Sequence, residues 1–310
     1  MVAGQNPSGV YKFAVATSCS TVLLLMAGAL VTSNNAADSV PDWPLAYGKI
    51  VPPLVGGVRI EYTHRVLAAL VSVLTLVLAF WLMRAERRPL ARKLGWAALA
   101  LVIAQAILGG VRVLVGHPAI SATAHATLAQ IFFLTIVGLS LYLSPWWQAD
   151  LPQLDDPSTP TARSLALWTT VAILAQLVLG ASFRHGAFGI APHLVGAGLV
   201  TVLVVWTGRT VKKRFKQVQD LRFGVVLLHS FFGLQILLGG AAYWAVLKAG
   251  DNFQPSVTYV ALTVAHVLGG ALTLAASVIL TLSCFRLIRP ASVVATDSSG
   301  ARLAGRPTAG

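Results

Sequence analysis

The sequence predicts an all-α integral membrane protein with eight transmembrane helices, arranged as two tandem four-helix bundles related by a pseudo-twofold axis along the membrane normal. Its composition, its apolar spans and an internal repeat support this prediction. Of the 310 residues, 56% are hydrophobic and only 11% are charged, whereas about a quarter of the residues of a soluble domain are charged. A transmembrane β-barrel is not expected, because it would show short segments of alternating hydrophobicity.

The predicted helices follow from windows of about 20 residues, the length that crosses the hydrocarbon core of a membrane. The first apolar segment also has features of a signal peptide, since Lys12 precedes it and small residues lie near its end. The repeat described below favours a retained helix instead. The eight predicted spans are 11–31, 62–83, 94–114, 121–143, 163–183, 190–207, 222–243 and 257–284.

The net charge of +13 concentrates in two short connections, "RAERRPLARK" after the second span and "GRTVKKRFKQVQDLR" after the sixth. The positive-inside rule places both in the cytoplasm, and with them both termini. The acidic connection 144–162 does not support this orientation, although acidic residues count for little in the rule. The charge is therefore interpreted as a determinant of membrane topology, with lipid and not nucleic acid as the expected partner.

The two halves of the chain repeat each other. The third and seventh spans share Gln-x-x-Leu-Gly-Gly, and histidines recur in the other corresponding spans. The aligned residues are Gln105 with Gln235, His64 with His193, and His125 with His266. Because each half has four spans, both halves keep one orientation, which predicts an axis along the membrane normal.

The repeat predicts the domain boundaries. An N-terminal bundle over 1–148 and a C-terminal bundle over 163–289 are joined by a linker over 149–162. The tail 290–310 is rich in Ala, Ser, Gly and Arg, and is expected to be disordered.

Four of the seven histidines lie in the first turns of the even-numbered spans, so they share one depth near the outer face. These are His64, His125, His193 and His266. Neutral imidazoles on facing helices of a bundle can coordinate a haem iron from both sides. A zinc or copper site would need three or four close ligands with carboxylate or sulfur help. The pattern thus predicts two bis-histidine haem sites, one in each bundle.

The other three histidines are weaker candidates. His229 lies toward the cytoplasmic side and is expected to be a hydrogen-bonded packing residue, while His117 and His185 belong to outer loops. His185 is kept as a lesser candidate ligand.

Further polar and small residues surround the predicted sites. Gln105 and Gln235 are expected to hydrogen-bond across their bundles, with a purely structural role as the alternative. Arg65, Arg112 and Arg184 lie near the outer face, where they could pair with haem propionates or with water and lipid headgroups. Glycine pairs would admit either a flat ring or a neighbouring helix. They are Gly109-Gly110, Gly239-Gly240 and Gly269-Gly270.

The two halves also differ. Glu61 stands one helical turn before His64, on the same helix face, whereas Ile190 occupies the matching position of the second half. Only the first half has a long outer loop, 32–58. The asymmetry predicts an electron-transfer site in the second half, and in the first half a carboxylate placed to move protons or activate water. A solvated glutamate favoured by the helix dipole is the alternative.

The motifs "PDWPLAYG" (41–48), "EYTHR" (61–65) and "QAILGG", with the later histidines, resemble those of the haem A synthase family. These membrane enzymes oxidise haem O to haem A for terminal oxidases. The resemblance covers about 11–288.

The resemblance implies that Glu61, His64 and His125 form the site of the substrate haem, and that His193 and His266 hold a permanent haem b. It further implies a bacterial-type inner membrane location with the haem sites toward the outer face. The implied partners are haem O synthase, an unidentified electron donor and terminal oxidase assembly. A homo-oligomer is left open.

The chain departs from the family at one point. Many members carry two cysteines flanking the Asp-Trp-Pro stretch, and here Val40 and Ala46 stand in those places. The two cysteines of the chain, Cys19 and Cys284, lie inside or at the end of spans. A mechanism in which that loop pair relays electrons or forms a disulfide therefore cannot operate in this chain, and the reductant path is left open.

Two other classes of function are consistent with parts of the pattern. A non-catalytic dihaem cytochrome b would commonly carry haems toward both membrane faces, whereas all four histidines here share one face. A small-molecule transporter built from repeats would use the histidines to bind substrate or protons.

Overall fold

A computed structural model describes residues 8–116, 118–250 and 255–290. Within these residues the chain forms eight long helices, each long and apolar enough to cross a membrane, which confirms the predicted all-α membrane fold. The long helices are α1 (Ser8–Ser33), α2 (Gly56–Ala85), α3 (Pro89–Val115), α4 (Ala119–Leu143), α6 (Ala162–Arg184), α7 (Ala191–Arg214), α8 (Gln219–Ala249) and α9 (Val257–Leu287). Short elements are α5 (Pro145–Gln148), β1 (Leu154–Asp156) and β2 (Ile288–Pro290).

Most helices extend beyond the apolar windows that predicted them. Helix α2 begins at Gly56, so Glu61 lies in its second turn and not at its start. Helix α7 continues to Arg214, so much of the basic segment predicted as a loop is helical. The reason is that hydropathy detects the part of a helix in hydrocarbon, while the backbone hydrogen bonds continue into polar residues at the membrane surface.

The helices of each half pack in cyclic order. In the first half α1 contacts α2, α2 contacts α3, α3 contacts α4, and α4 returns to α1. The helices α6, α7, α8 and α9 repeat this order in the second half. Each half has its own apolar core, one including Leu78 and Ile136 and the other Val204 and Leu280. The pseudo-twofold axis stays a prediction.

The halves meet along α1, α4, α6 and α9. Helix α9 is the most buried of the eight long helices, and Gly269, Gly270 and Ala271 lie on its buried surface. Small residues let helix backbones approach closely in a membrane, where van der Waals packing drives association. This packing brings the first turns of α2, α4, α7 and α9 to one end of the molecule, called the histidine side below.

The predicted linker is tied to the end of the last helix. Strand β1 pairs in parallel with β2, and the buried Asp156 carboxylate accepts a hydrogen bond from the Ala162 amide at 2.7 Å. Beyond Pro290, the tail predicted to be disordered lies outside the described residues, as does His117.

Candidate functional site

Each of the four predicted histidines packs against a glycine of the preceding long helix. A methyl group on that glycine would crowd the imidazole Cε1, so the absence of a side chain lets the ring lie against the helix backbone. The pairs, with the distance from such a methyl carbon to Cε1, are Gly28–His64 (3.2 Å), Gly109–His125 (3.1 Å), Gly180–His193 (2.9 Å) and Gly239–His266 (3.0 Å).

The contact recurs in four helical hairpins, α1–α2, α3–α4, α6–α7 and α8–α9. The repeated structural unit is thus one hairpin, half the length of the repeat found in the sequence. In every unit the glycine lies near the end of the first helix and the histidine near the start of the second. All four imidazoles therefore lie toward the histidine side.

In the second half, the imidazoles of His193 and His266 are neighbours in an edge-to-face arrangement. Their ring centroids are 6.3 Å apart and their planes are nearly perpendicular, at 89°. Two metal–nitrogen bonds of about 2 Å, together with the half-widths of the two rings, would separate the ring centres by about 6 Å. The spacing fits an iron ion held between the two side chains, as in a bis-histidine haem.

The first half has a corresponding pair. It consists of His64 on α2 and His125 on α4, each packed against the glycine of its hairpin. Among the described residues, the Nδ1 atoms of both rings are buried without a hydrogen-bond partner. Buried polar atoms normally have a partner, so these imidazoles suit ligation of a bound group. Groups of three or more His, Cys, Asp and Glu side chains that could hold a metal ion do not occur in the described parts of the chain.

Glutamines on the first helix of three hairpins, α3, α6 and α8, reach three of the histidines. Gln105 Nε2 donates to the His125 carbonyl at 3.0 Å. Gln176 Nε2 donates to the His193 carbonyl at 2.7 Å and lies 3.0 Å from its Nδ1. Gln235 Nε2 lies 3.5 Å from His266 Nε2. Sequence analysis missed Gln176, although it begins the same Gln-x-x-Leu-Gly pattern.

Glu61 is buried, with 4% of its surface exposed, so the alternative of a solvated residue at the helix start is wrong. Its Oε1 accepts a hydrogen bond from Arg65 Nη2 at 2.5 Å, and its Oε2 accepts one from the Val40 amide at 2.9 Å. The guanidinium of Arg65 also donates to the carbonyls of Asp42 at 2.7 Å and Leu45 at 3.0 Å. This ion pair fastens the outer loop to α2 one turn away from His64.

The outer loop between α1 and α2 has its own internal order. The Asp42 carboxylate accepts hydrogen bonds from the amides of Gly48 at 2.7 Å and Tyr47 at 2.6 Å. The hydrogen bond from the Gly48 amide is the main reason why the pKa of Asp42 lies below its usual value. The ring of Trp43 lies against α3, where a methyl group on Gly110 would be 2.5 Å from it. The loop therefore covers the histidine side of the first bundle.

The two positions that the resemblance matches to cysteines lie in this loop. Val40 is fully buried and Ala46 is 2% exposed, so both pack as apolar side chains.

Positive charge gathers where the two halves meet. Arg184 at the end of α6 donates to Ser33 Oγ on α1 at 2.7 Å, and Ser33 is 2.9 Å from Thr263 Oγ1 on α9. Burial, with the nearby charges of Arg112 and Arg184, lowers the pKa of His185 to about 4. His185 is accordingly neutral at physiological pH. Arg112, on α3, has a buried Nε without a partner among the described residues, which suits it to bind a carboxylate.

His229 differs from the four. It lies in α8 away from the histidine side, where its Nδ1 is 2.8 Å from the Val225 carbonyl and its ring packs against Gly208 of α7. These contacts favour the packing role predicted for it.

Residues 54–137 match the family model COX15-CtaA, described as cytochrome oxidase assembly protein. The matched segment contains Glu61, His64, Arg65, Gln105 and His125.

Several relatives bear the name heme A synthase. The protein of Lysinibacillus sphaericus is 32% identical over 180 residues, 56% of this chain and 57% of the relative. That of Alkalihalophilus pseudofirmus is 31% identical over 134 residues, 40% of this chain and 45% of the relative. That of Symbiobacterium thermophilum is 26% identical over 259 residues, 73% of this chain and 82% of the relative. The chain thus spans about half the length of the first two relatives.

Proposed function

We propose that this chain, part of which matches the cytochrome oxidase assembly protein family and which is similar to proteins named heme A synthase, oxidises a methyl group of haem O to the formyl group of haem A. Each of two successive hydroxylations of the methyl carbon uses one molecule of oxygen, with two protons and two electrons from the separate donor; one oxygen atom enters a C–H bond and the other leaves as water. The resulting geminal diol loses one water to leave the formyl group. The observation that carries the proposal is the pair of glycine-backed histidines in each half, with a buried carboxylate one helical turn from a histidine of the first pair and, among the residues that the structure describes, none so placed in the second.

In the first half, His64 and His125 hold the iron of the substrate and Glu61 transfers protons at the reacting face. The Arg65 ion pair keeps the Glu61 carboxylate in place and binds the covering loop over it. A covered site limits the access of bulk water, which strengthens electrostatic interactions inside it. Arg112, with its unpartnered Nε, binds a propionate of the substrate; Arg65 is the second candidate for that role.

In the second half, His193 and His266 hold haem b. Haem b, when bound there, supplies electron transfer. The hydrogen bond of Gln176 to the His193 ring orients that imidazole, as second-shell groups orient metal ligands. The absence of a carboxylate at Ile190 suits a site that only relays electrons.

The proposal includes orientation and partners. The basic ends of α2 and α7 lie in the cytoplasm, so the histidine side faces outward. The first four long helices form the substrate domain, 1–148, and the last four the haem b domain, 163–289. The expected partners are haem O synthase as supplier, a separate electron donor, and terminal oxidase assembly as recipient.

Haem extraction with mass analysis tests the function. Membranes from a host that supplies haem O are compared with and without this gene, and haem A should appear only with it. Bound haem b with haem O left unconverted, despite a competent reductant, would favour a dihaem electron carrier. Correctly folded protein that contains no haem, although the cells that made it had ample haem, would overturn the ligand assignment and favour a transporter.

The glycine contacts yield a prediction for the second site. In Gly180→Ala, the new methyl group would lie 2.9 Å from His193 Cε1, closer than side-chain carbons normally approach, so the ring must move. We expect the ratio of haem b to protein to fall about tenfold, as for a lost second-shell contact. Gly198→Ala on α7 is the control, because its methyl group would meet nothing within 4 Å. Equal haem b content in both variants would contradict the role of the glycine.

A further inference from the structure

One of the four histidine units lacks the glutamine. In three units a glutamine stands four residues before the glycine that contacts the histidine, and in α1 this place is taken by Leu24. The units are Gln105–Gly109–His125, Gln176–Gly180–His193, Gln235–Gly239–His266 and Leu24–Gly28–His64.

The glutamine connects the two helices of its hairpin at the histidine. Gln105 binds the backbone carbonyl of His125, and Gln176 binds both the carbonyl and the ring of His193. The amide of Gln235 lies against His266 and fills the space left by Gly269. In each of these units a polar side chain therefore restrains the segment that carries the ligand.

The segment that carries His64 lacks this restraint. The Nδ1 atoms of His64, His125 and His266 are alike in having no hydrogen-bond partner among the described residues, so the difference lies at the backbone. The side chain of Leu24 packs in the apolar core of the first half and has no amide to donate to the His64 carbonyl. Groups that hold a metal ligand in position raise its affinity for the metal, and their loss typically costs 10–100-fold.

The carboxylate lies beside this same histidine. Glu61 precedes His64 by one turn of α2, on the same face. A proton-transferring group is useful on the side of the ring where a coordination position opens, because it can reach a small molecule bound there. The missing glutamine and the buried Glu61 carboxylate thus both distinguish His64 from the other three histidines.

We infer that His64 is the exchangeable ligand of the substrate iron, and that His125, restrained by Gln105, is the retained one. Leu24 is a positioning residue: its lack of an amide lets His64 leave. The inference rests on the proposed function, and it adds which of the two ligands gives way.

Carbon monoxide binding to the reduced haem tests it without turnover. Full-length protein is purified from cells that make no haem O, so that it carries only the second-half haem, and haem O is added without oxygen. His64→Ala should retain haem O in a five-coordinate, high-spin state that binds carbon monoxide at once. His125→Ala should lose most of the added haem O. The reverse outcome, with haem O kept in His125→Ala and lost in His64→Ala, would overturn the inference.

A milder pair of variants guards against loss of folding. Leu24→Gln restores the amide found in the other three units, and we expect the affinity for carbon monoxide to fall about tenfold. Leu24→Met has a similar volume without the amide and should bind as the unaltered protein does. The haem of the second half, quantified in the same samples, reports correct folding.

The outcomes separate the inference from the function. Equal carbon monoxide affinity in folded Leu24→Gln and Leu24→Met would overturn the role of Leu24 while leaving haem A synthesis intact. An unaltered protein that binds no haem O at all would overturn both.

Discussion

Replacing His193 or His266 with alanine should abolish haem b binding in the second half. The two rings face each other at 6.3 Å, and removal of either one leaves the iron with a single protein ligand in an apolar bundle. A bis-histidine site depends on both axial ligands for affinity and for its low-spin character. We expect almost complete loss of the haem b absorbance from purified protein, measured against total protein after confirmation of the helical circular dichroism spectrum.

His229→Gln is the matched control for this experiment. His229 lies in the same half, but its Nδ1 is 2.8 Å from the Val225 carbonyl and away from the pair. Haem b should remain at its full content in this variant. Haem b retained in folded His193→Ala and His266→Ala would show that the ligands lie elsewhere, with His185 the next to test.

Replacing Glu61 with glutamine should lower haem A formation by about 10²–10⁴-fold, the usual contribution of a general acid–base group. Glutamine keeps the size of the side chain, and its carbonyl oxygen can still accept the hydrogen bond from the Val40 amide. What it loses is the ability to take up and release a proton at that atom. Haem b content should not change, because Glu61 belongs to the other half.

The contacts of Glu61 suggest a second role, anchoring of the outer loop, which a comparison of Glu61→Gln with Glu61→Ala tests. If Glu61→Gln converts haem O normally and Glu61→Ala does not, the residue anchors the outer loop through Arg65 and Val40, and the proton-transfer role is wrong. Glu86→Gln is the control, at the residue that caps the C-terminal end of the same helix. Glu86 is equally buried and is paired with Arg88 at 2.8 Å, but it lies at the opposite end of α2. It should leave conversion unchanged.

The candidate site was largely predictable from sequence because its signals are local and repeated. Ionisable residues in apolar spans are rare enough to stand out, and His64, His125, His193 and His266 recur at matching positions of two aligned halves. Gln176 was missed because this prediction compared the two halves only with each other. The aligned position of the first half is Leu24, so comparison of the halves shows no shared glutamine there. Comparison of all four hairpins, by the shared Gln-x-x-Leu-Gly pattern and the glycine–histidine contacts, makes Gln176 equivalent to Gln105 and Gln235.

The roles of Arg65 and Glu61 depended on contacts between distant segments. Sequence analysis placed Arg65 near the outer face as a candidate partner of a propionate, and this stays a prediction. The structure adds that its guanidinium holds the carbonyls of Asp42 and Leu45 and the Glu61 carboxylate. No local pattern specifies which loop carbonyls an arginine reaches, because the fold of the loop decides that.

The amino-acid sequence by itself determined the eight spans and the placement of four histidines and one glutamate at their ends. Membrane insertion depends on runs of apolar residues, and depth depends on position within a run. Only the tertiary structure decided which residues meet across helices: a glycine behind each histidine, the perpendicular pair of His193 and His266, and the loop fastened over the first bundle. Such contacts arise from close packing of surfaces that are far apart in the chain, and helical periodicity carries no record of them.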